Sequence, residues 1–360
     1  MKNYLFRVRV SNKIGYGHIK RCLSIANTVT NLGNKATIII EKNDFSVKLA
    51  DKYPLFIWNY LSSNMTLKKE VNLLNQINNG KENYDILIID ISNSELYKEG
   101  KYFSNYISRM RELAKKIAVI DGFMDQCFSS KFNLDADFII LPYMDAHHQG
   151  VVASNAKLII GEKYFILDQK FLDSSRKNYI NKSVKSILLT FGGSDPKEIT
   201  AKVIEEINTI DQQKLRINII IGAGFSRDLM KKVNNLISLS NHEYEIINQP
   251  DSIAEYINHS DLVVSSTGLT KYEIAFLGIP SIQISIDSQH SLYNIPFSKK
   301  EISYDLGPVQ ELENGDIKKS FLKVFNDFDL RNKMSKKGKE LIDGKGVSRL
   351  ISILETSHAI

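Results

Sequence analysis

The sequence predicts an α/β protein built from two doubly wound, Rossmann-like domains in tandem, and three observations carry that prediction. Short runs rich in Ile, Val and Leu alternate with helical stretches of roughly 10 to 25 residues, the pattern of a parallel sheet covered on both faces. The rhythm restarts after the polar stretch DSSRKNYINKSVK at 173–185. Finally, the first strand of each half runs into glycines and then a helix, as IGYGH in one and FGGSDP in the other. Open α/β sheets bind ligands at such strand ends.

At 360 residues, 43% hydrophobic and 24% charged, the chain has material for two cores. The runs YLFRVRV, KATIIIE, DILIID, KIAVID and ADFIILP supply strands to a first domain over 1–172. SILLTFGG, LRINIIIG, EYEIINQ, DLVVSS and PSIQISI supply a second over 184–345, with the linker near 173–183 and a last helix over 346–360.

MKNYLFRVRV carries arginines where a secretory signal needs an apolar core, and no later window offers the roughly 18 apolar residues that span a bilayer. The expectation is a cytoplasmic protein. Cys22 and Cys127 are too isolated for a disulfide framework or a metal site and read as reduced thiols. A net charge of +6 is spread over lysine-rich helices such as 333–345 without aromatic interleaving. That pattern argues against nucleic acid and suits a small anionic substrate or an acidic membrane surface.

Residues Gly15, Tyr16, Gly17 and His18 do not complete a dinucleotide fingerprint, because Lys20 stands where the third glycine would fall. Two glycines still allow close backbone approach, and the helix starting near His18 offers N–H groups to an anion. His18 precedes the apolar face of Ile19, Cys22, Leu23, Ile25 and Ala26, so it sits on a rim. Imidazole can accept a proton at neutral pH; the competing reading is a histidine that bonds only its own loop. Asp90 and Asp121 end strands, where either could orient His18, bind a sugar, or cap a helix. Asp145, His147 and His148 have no further ligand spaced to complete a metal site and read as solvated loop.

In the second half, GGSDP at 192–196 predicts a glycine turn leading into a helix, with Asp195 as cap and Pro196 in its first turn. SSTGLTKYEIAFLGIP at 265–280 predicts a strand end, a helix from about Thr270 with Glu273 in its first turn, and a stop at Gly278 and Pro280. Ser266, Thr267, Gly268 and Thr270 would seat a phosphate, and Glu273 would accept hydrogen bonds from a ribose. Glu273 acting only on its own helix terminus is the alternative.

Together FRVRVSNKIGYGHIKRCLSIA, LTFGGSDP and DLVVSSTGLTKYEIAFLGIPSIQI resemble the nucleotide-sugar hydrolase of pseudaminic acid biosynthesis and its spore-coat polysaccharide relatives. That group is similar to the N-acetylglucosaminyltransferase of peptidoglycan synthesis, which has the GT-B fold. The likeness runs over residues 4 to 345. It implies cleavage of a UDP-linked 2,4-diacetamido-2,4,6-trideoxy sugar for a surface glycan such as that of flagellin, with His18 activating water and UDP leaving. Gly15, Gly17, Arg21, Asp90 and Asp121 are the residues expected to bind sugar and phosphate. Gly192, Gly193, Ser194, Ser266, Thr267, Gly268, Thr270, Glu273 and Gln289 would bind the nucleotide. No cofactor or metal is called for, and a monomer with weak membrane association is expected.

Family members usually have Asp where Arg9 stands, Tyr where Ser92 stands, Asn where Pro142 stands and Arg where Asp168 stands. All four departures fall in the half that faces the sugar or acceptor in this fold. Two alternatives stay open. A GT-B glycosyltransferase would use the same histidine on an acceptor hydroxyl, with residues 43–58 docking on a membrane. A non-catalytic sugar-nucleotide sensor would bind UDP without turnover.

Overall fold

The structure, a computed structural model, describes residues 1–9, 17–62, 69–70, 72–73, 83–91, 100–122, 127–146, 150, 155–174, 179–211 and 213–357. The chain divides into two compact units, one comprising 1–168 with 344–360 and the other 169–343.

The first unit is a seven-stranded parallel sheet of β1 (Asn3–Val8), β2 (Lys35–Glu41), β3 (Ile57–Leu61), β4 (Tyr84–Asp90), β5 (Ala114–Ile120), β6 (Phe138–Leu141) and β7 (Lys157–Ile160). Its order is β3-β2-β1-β4-β5-β6-β7. Side chains alternate across a strand, so Tyr4, Phe6 and Val8 share one face with Ile38, Ile40, Ile86 and Ile88. The helix Gly17–Asn31 covers that face with Ile19, Cys22, Leu23, Ile25, Ala26 and Val29.

The last helix, Gly346–Thr356, adds Val347, Leu350, Ile351 and Leu354 to the same core. Each fully buried aliphatic side chain stabilises by about 1.5–3 kcal/mol, enough to tether this segment to the first unit rather than to the second unit that precedes it. Tyr4 donates to Glu355 Oε1 at 2.7 Å, and Lys116 to the Leu354 carbonyl at 2.9 Å. Gly346 is obligatory here, because a Cβ would lie 2.1 Å from the Phe165 carbonyl oxygen.

The second unit is a six-stranded parallel sheet of β8 (Ser186–Thr190), β9 (Arg216–Ile221), β10 (Glu243–Asn248), β11 (Leu262–Ser265), β12 (Ser281–Ser285) and β13 (Tyr304–Pro308), ordered β10-β9-β8-β11-β12-β13. Its core runs from Ile187, Leu189 and Ile217 through Val203, Ile204 and Ile207 of the helix Ile199–Ile207 to Phe321 and Val324 of the helix Asp316–Asn326.

The sequence reading omits β3, β7 and β13. All three are edge strands with partly exposed side chains. Continuous apolar runs mark strands buried on both faces and carry a weaker signal at edges, of which only β10 was named.

Strand order reverses between β1 and β4 in the first unit and between β8 and β11 in the second. In open α/β sheets such switch points, at the carboxyl ends of the strands, are where ligands bind. The segments after β1, β4, β8 and β11 are those the sequence analysis singles out.

Candidate functional site

In the first unit the helix Gly17–Asn31 starts beside the carboxyl end of β4. His18 Nδ1 lies 2.6 Å from Asp90 Oδ1, across 72 residues of sequence. Asp90 is fully buried, while the His18 side chain keeps 12% of its exposure. An ionised carboxylate only accepts, so Nδ1 carries the proton and donates, leaving Nε2 as the basic nitrogen. No described residue bonds Nε2.

Arg21, one turn along the helix, donates to Asp90 through Nε at 3.0 Å and through a terminal nitrogen at 2.8 Å. Its other terminal nitrogen donates to Tyr143 Oη at 2.9 Å. Burial works against the charge of Asp90, but Arg21 and then His18 outweigh it and hold the carboxyl at about 2. Asp90 is therefore a fixed anion at neutral pH that orients the imidazole.

Two of the expected sugar-side residues already have partners within this unit. Arg21 was placed on the sugar or phosphate, yet its guanidinium is 9% exposed and already divided between Asp90 and Tyr143. It is a buttress. Asp121 was placed likewise, yet it is fully buried and accepts from the backbone N–H groups of Gly122, Phe128 and Ser129 at 2.8, 3.0 and 2.7 Å. Its carboxylate closes its own loop.

Gly17 is exposed at the helix start; Gly15, Ser92, His147 and His148 lie outside the described residues. Arg9 pairs with Glu41 at 3.3 Å. Pro142 follows β6 directly, and Asp168 ends the stretch of chain before the second unit. Cys22 is buried in the core and burial raises its thiol pKa, so it is no nucleophile.

In the second unit Gly192, Gly193 and Ser194 form an exposed turn after β8. The Gly224 amide donates to the Gly193 carbonyl at 2.8 Å, and a Cβ on Gly222 would lie 2.3 Å from that oxygen. The loop after β9 can approach the turn so closely only because both residues are glycine.

The helix that follows begins at Ile199, so Pro196 lies outside it. Asp195 reaches forward and accepts from the amides of Ile199 and Thr200 at 2.9 and 2.8 Å. Those amides are thereby spent, and the exposed 192–194 backbone is what remains for a ligand.

The helix Thr270–Leu277 differs: its N-cap, Leu269, makes no side-chain cap. Gly268 is exposed, and Ser266, Thr270 and Glu273 are half-buried. A helix start without a side-chain cap can receive an anion on its first amides; of these the Tyr272 amide already bonds the Leu269 carbonyl at 2.9 Å. Thr267 turns its hydroxyl inward, 3.2 Å from Ser285 Oγ. Gln289 is exposed on the short helix Ser288–Ser291 after β12.

Sequence reasoning missed Tyr143, a residue of the loop after β6, and the set formed by buried Lys271 and Asn294 with half-buried Asp305. Only the tertiary pairing marks them; no spacing signal does. Among the described residues no group of three His, Cys, Asp or Glu is arranged to hold a metal ion.

Residues 187–344 match the glycosyltransferase family 28 C-terminal domain. Homologues include the "Uncharacterized protein MJ1062" of Methanocaldococcus jannaschii, 28% identical over 84% of this chain and 59% of that protein. They also include the spore coat polysaccharide biosynthesis protein SpsG of Bacillus subtilis, 25% identical over 59% and 62%. A third is the UDP-2,4-diacetamido-2,4,6-trideoxy-beta-L-altropyranose hydrolase of Campylobacter jejuni, 24% identical over 74% of this chain and 85% of that one. The chain thus spans about three fifths of the length of the first two. Acinetobacter baumannii MurG superposes with a TM-score of 0.65 at 12% identity, covering 99% of this chain and all of that one. The fold is GT-B, and SpsG, the hydrolase and MurG belong to the groups that the sequence resemblance names.

Proposed function

We propose that this protein is a nucleotide-sugar hydrolase that releases UDP and a free amino-deoxy sugar, with His18 as general base. The observation that carries this reading is the 2.6 Å contact between His18 and buried Asp90. Nε2 takes a proton from water as the water oxygen bonds to the anomeric carbon. The bond from that carbon to the β-phosphate oxygen breaks, and its electron pair leaves with UDP. The imidazolium formed is stabilised by Asp90 across Nδ1.

The nucleotide is assigned to the second unit. Its diphosphate is received by the 192–194 turn and the uncapped start of the helix Thr270–Leu277, and Glu273 accepts from the ribose hydroxyls. Gln289 adds a side-chain amide nearby in sequence. Donors placed on the leaving diphosphate stabilise the charge that develops there. The match of 187–344 to a glycosyltransferase domain supports this half of the assignment. The hydrolase among the homologues supports a UDP-linked diacetamido-trideoxy sugar as donor and a role in surface glycan synthesis.

The test is UDP release from such a donor without any acceptor. Turnover with water alone, abolished in His18→Ala while UDP still binds, is the expected result. UDP release only on addition of an acceptor replaces this reading with a glycosyltransferase. One observation favours that second reading: residues 43–58 expose Val47, Leu55 and Ile57 at 40, 79 and 55% beside Lys48 and Lys52. Such a surface suits a membrane carrying a lipid-linked acceptor. Co-sedimentation with anionic vesicles measures it.

A further inference from the structure

Lys271 lies on the helix Thr270–Leu277, yet it is only 4% exposed. Its ammonium sits 5.9, 5.7 and 4.9 Å from the ring centres of Tyr272, Tyr293 and Phe297, within cation–π range. Tyr272 and Phe297 meet edge to face at 4.8 Å and close the cage. Nζ donates to the Tyr293 carbonyl at 2.6 Å and to Asn294 Oδ1 at 3.3 Å. These two neutral acceptors suffice for an amine and leave one N–H of an ammonium over.

Asn294 is fully buried and passes the contact onward. Its Nδ2 donates to Ser285 Oγ at 2.9 Å, with longer contacts to Thr267 Oγ1 at 3.4 Å and Asp305 Oδ1 at 3.5 Å. Thr267 in turn donates to Ser285 at 3.2 Å. An unbroken chain therefore runs from the Lys271 ammonium to the turn that precedes the uncapped helix start.

We propose that Lys271 is a proton-linked positioning residue of the nucleotide turn: through Asn294 it fixes Thr267, and a diphosphate bound at that turn draws a proton onto its amine. The inference rests on the assignment of the diphosphate to residues 266–270. Burial pushes Lys271 down to about 7, and Asp305 alone of the described charged groups opposes it. Asp305 acts from β13, while the helix Ile295–Lys299 contributes Phe297 and the helix Phe328–Leu341 sets Lys339 against Gly278 at the far end. Near pH 7 the amine is part neutral, and an arriving dianion favours the charged form. Diphosphate affinity therefore falls as pH rises.

UDP-N-acetylglucosamine is the probe, since its diphosphate is esterified at both ends and does not titrate near neutrality. In the wild-type protein its affinity should fall several-fold between about pH 6 and about pH 8.5. Calorimetry in two buffers of different ionisation heat should show uptake of about half a proton or more at about pH 7.5. Lys271→Met keeps the stem and removes the charge, and should bind with an affinity nearly independent of pH. Binding without proton uptake in the wild type, or an unchanged profile in the variant, overturns this inference and leaves the nucleotide assignment standing. Failure of the wild type to bind the probe at any pH overturns both. The wild-type calorimetry decides the matter even if the variant does not fold.

Discussion

Arg21 grips both carboxylate oxygens of Asp90, at 3.0 and 2.8 Å, from three residues beyond His18 on the helix Gly17–Asn31. His18 and Arg21 sit on adjacent corners of one helical turn, so a single carboxylate from the neighbouring strand receives both. Asp90 is thus pinned in place before it is asked to orient the imidazole.

Asp90→Asn keeps the shape but can present an N–H to Nδ1, which favours the wrong tautomer. On the hydrolase reading kcat should fall about 10²–10⁴-fold, the range of general-base contributions. UDP affinity should stay within twofold of the wild type. An unchanged kcat excludes His18 as the base.

Removing the buttress by Arg21→Met leaves Asp90 buried with His18 as its partner. Breaking a buried pair costs about 3–5 kcal/mol, read as a lower urea midpoint. Asp90 is held at about 2 in the native protein. Its contribution to stability is therefore present above the ordinary carboxylate range and is lost as pH falls toward 2. In the variant the acid-unfolding midpoint should move to higher pH.

Gly222→Ala would force a Cβ to 2.3 Å from the Gly193 carbonyl and push apart the loops after β8 and β9. The 192–194 turn should shift while both sheets persist. A rise of about tenfold or more in KM for the nucleotide sugar, with a Tm lowered by only a few degrees, is expected. Unaltered nucleotide binding removes the turn from the site.

Arg7, on the face of β1 opposite Phe6, is fully buried against Glu70 at 2.5 and 3.0 Å and Glu41 at 2.7 Å. Tyr106 donates to Glu70 at 2.5 Å. Glu70→Ala should cost about 3–5 kcal/mol, and Arg7→Met combined with Glu70→Leu should recover most of it, because the pair's own desolvation cost disappears as well. Denaturant unfolding of the single and double variants supplies the comparison.

Lys271 binds one proton fewer in the native than in the unfolded state between about 7 and its unfolded value near 10.4. Stability should therefore rise with pH across that window. Burial raises Cys22 and Cys127, which act in the opposite sense once unfolded thiols ionise near 8.5. The Tm difference between wild type and Lys271→Met should accordingly change between about pH 7 and about pH 8.5.

The ten strands named from sequence include every interior strand of both sheets, because interior strands are buried on two faces and must be apolar throughout. The edges β3, β7 and β13 carried no such constraint. His18 stood out as a candidate because a histidine beside glycines at a strand-to-helix junction is out of place in a core, whereas its pairing with Asp90, 72 residues away, was not legible. The partner of Arg21 was not legible, because one sequence cannot show that a helix-borne cation meets a carboxylate 69 residues away.

By itself the sequence determined the class of fold, the tandem arrangement and the glycine turns that follow the first strand of each half, since periodicity and turn chemistry are local and repeat along the chain. Tertiary structure alone decided which polar groups remain available. Asp121 and Asp195 spend their carboxylates on backbone amides, Arg21 spends its guanidinium on Asp90, and Lys271 is carried inside. A buried polar group must find partners wherever the fold brings them, and those pairings close over distances that sequence spacing does not encode.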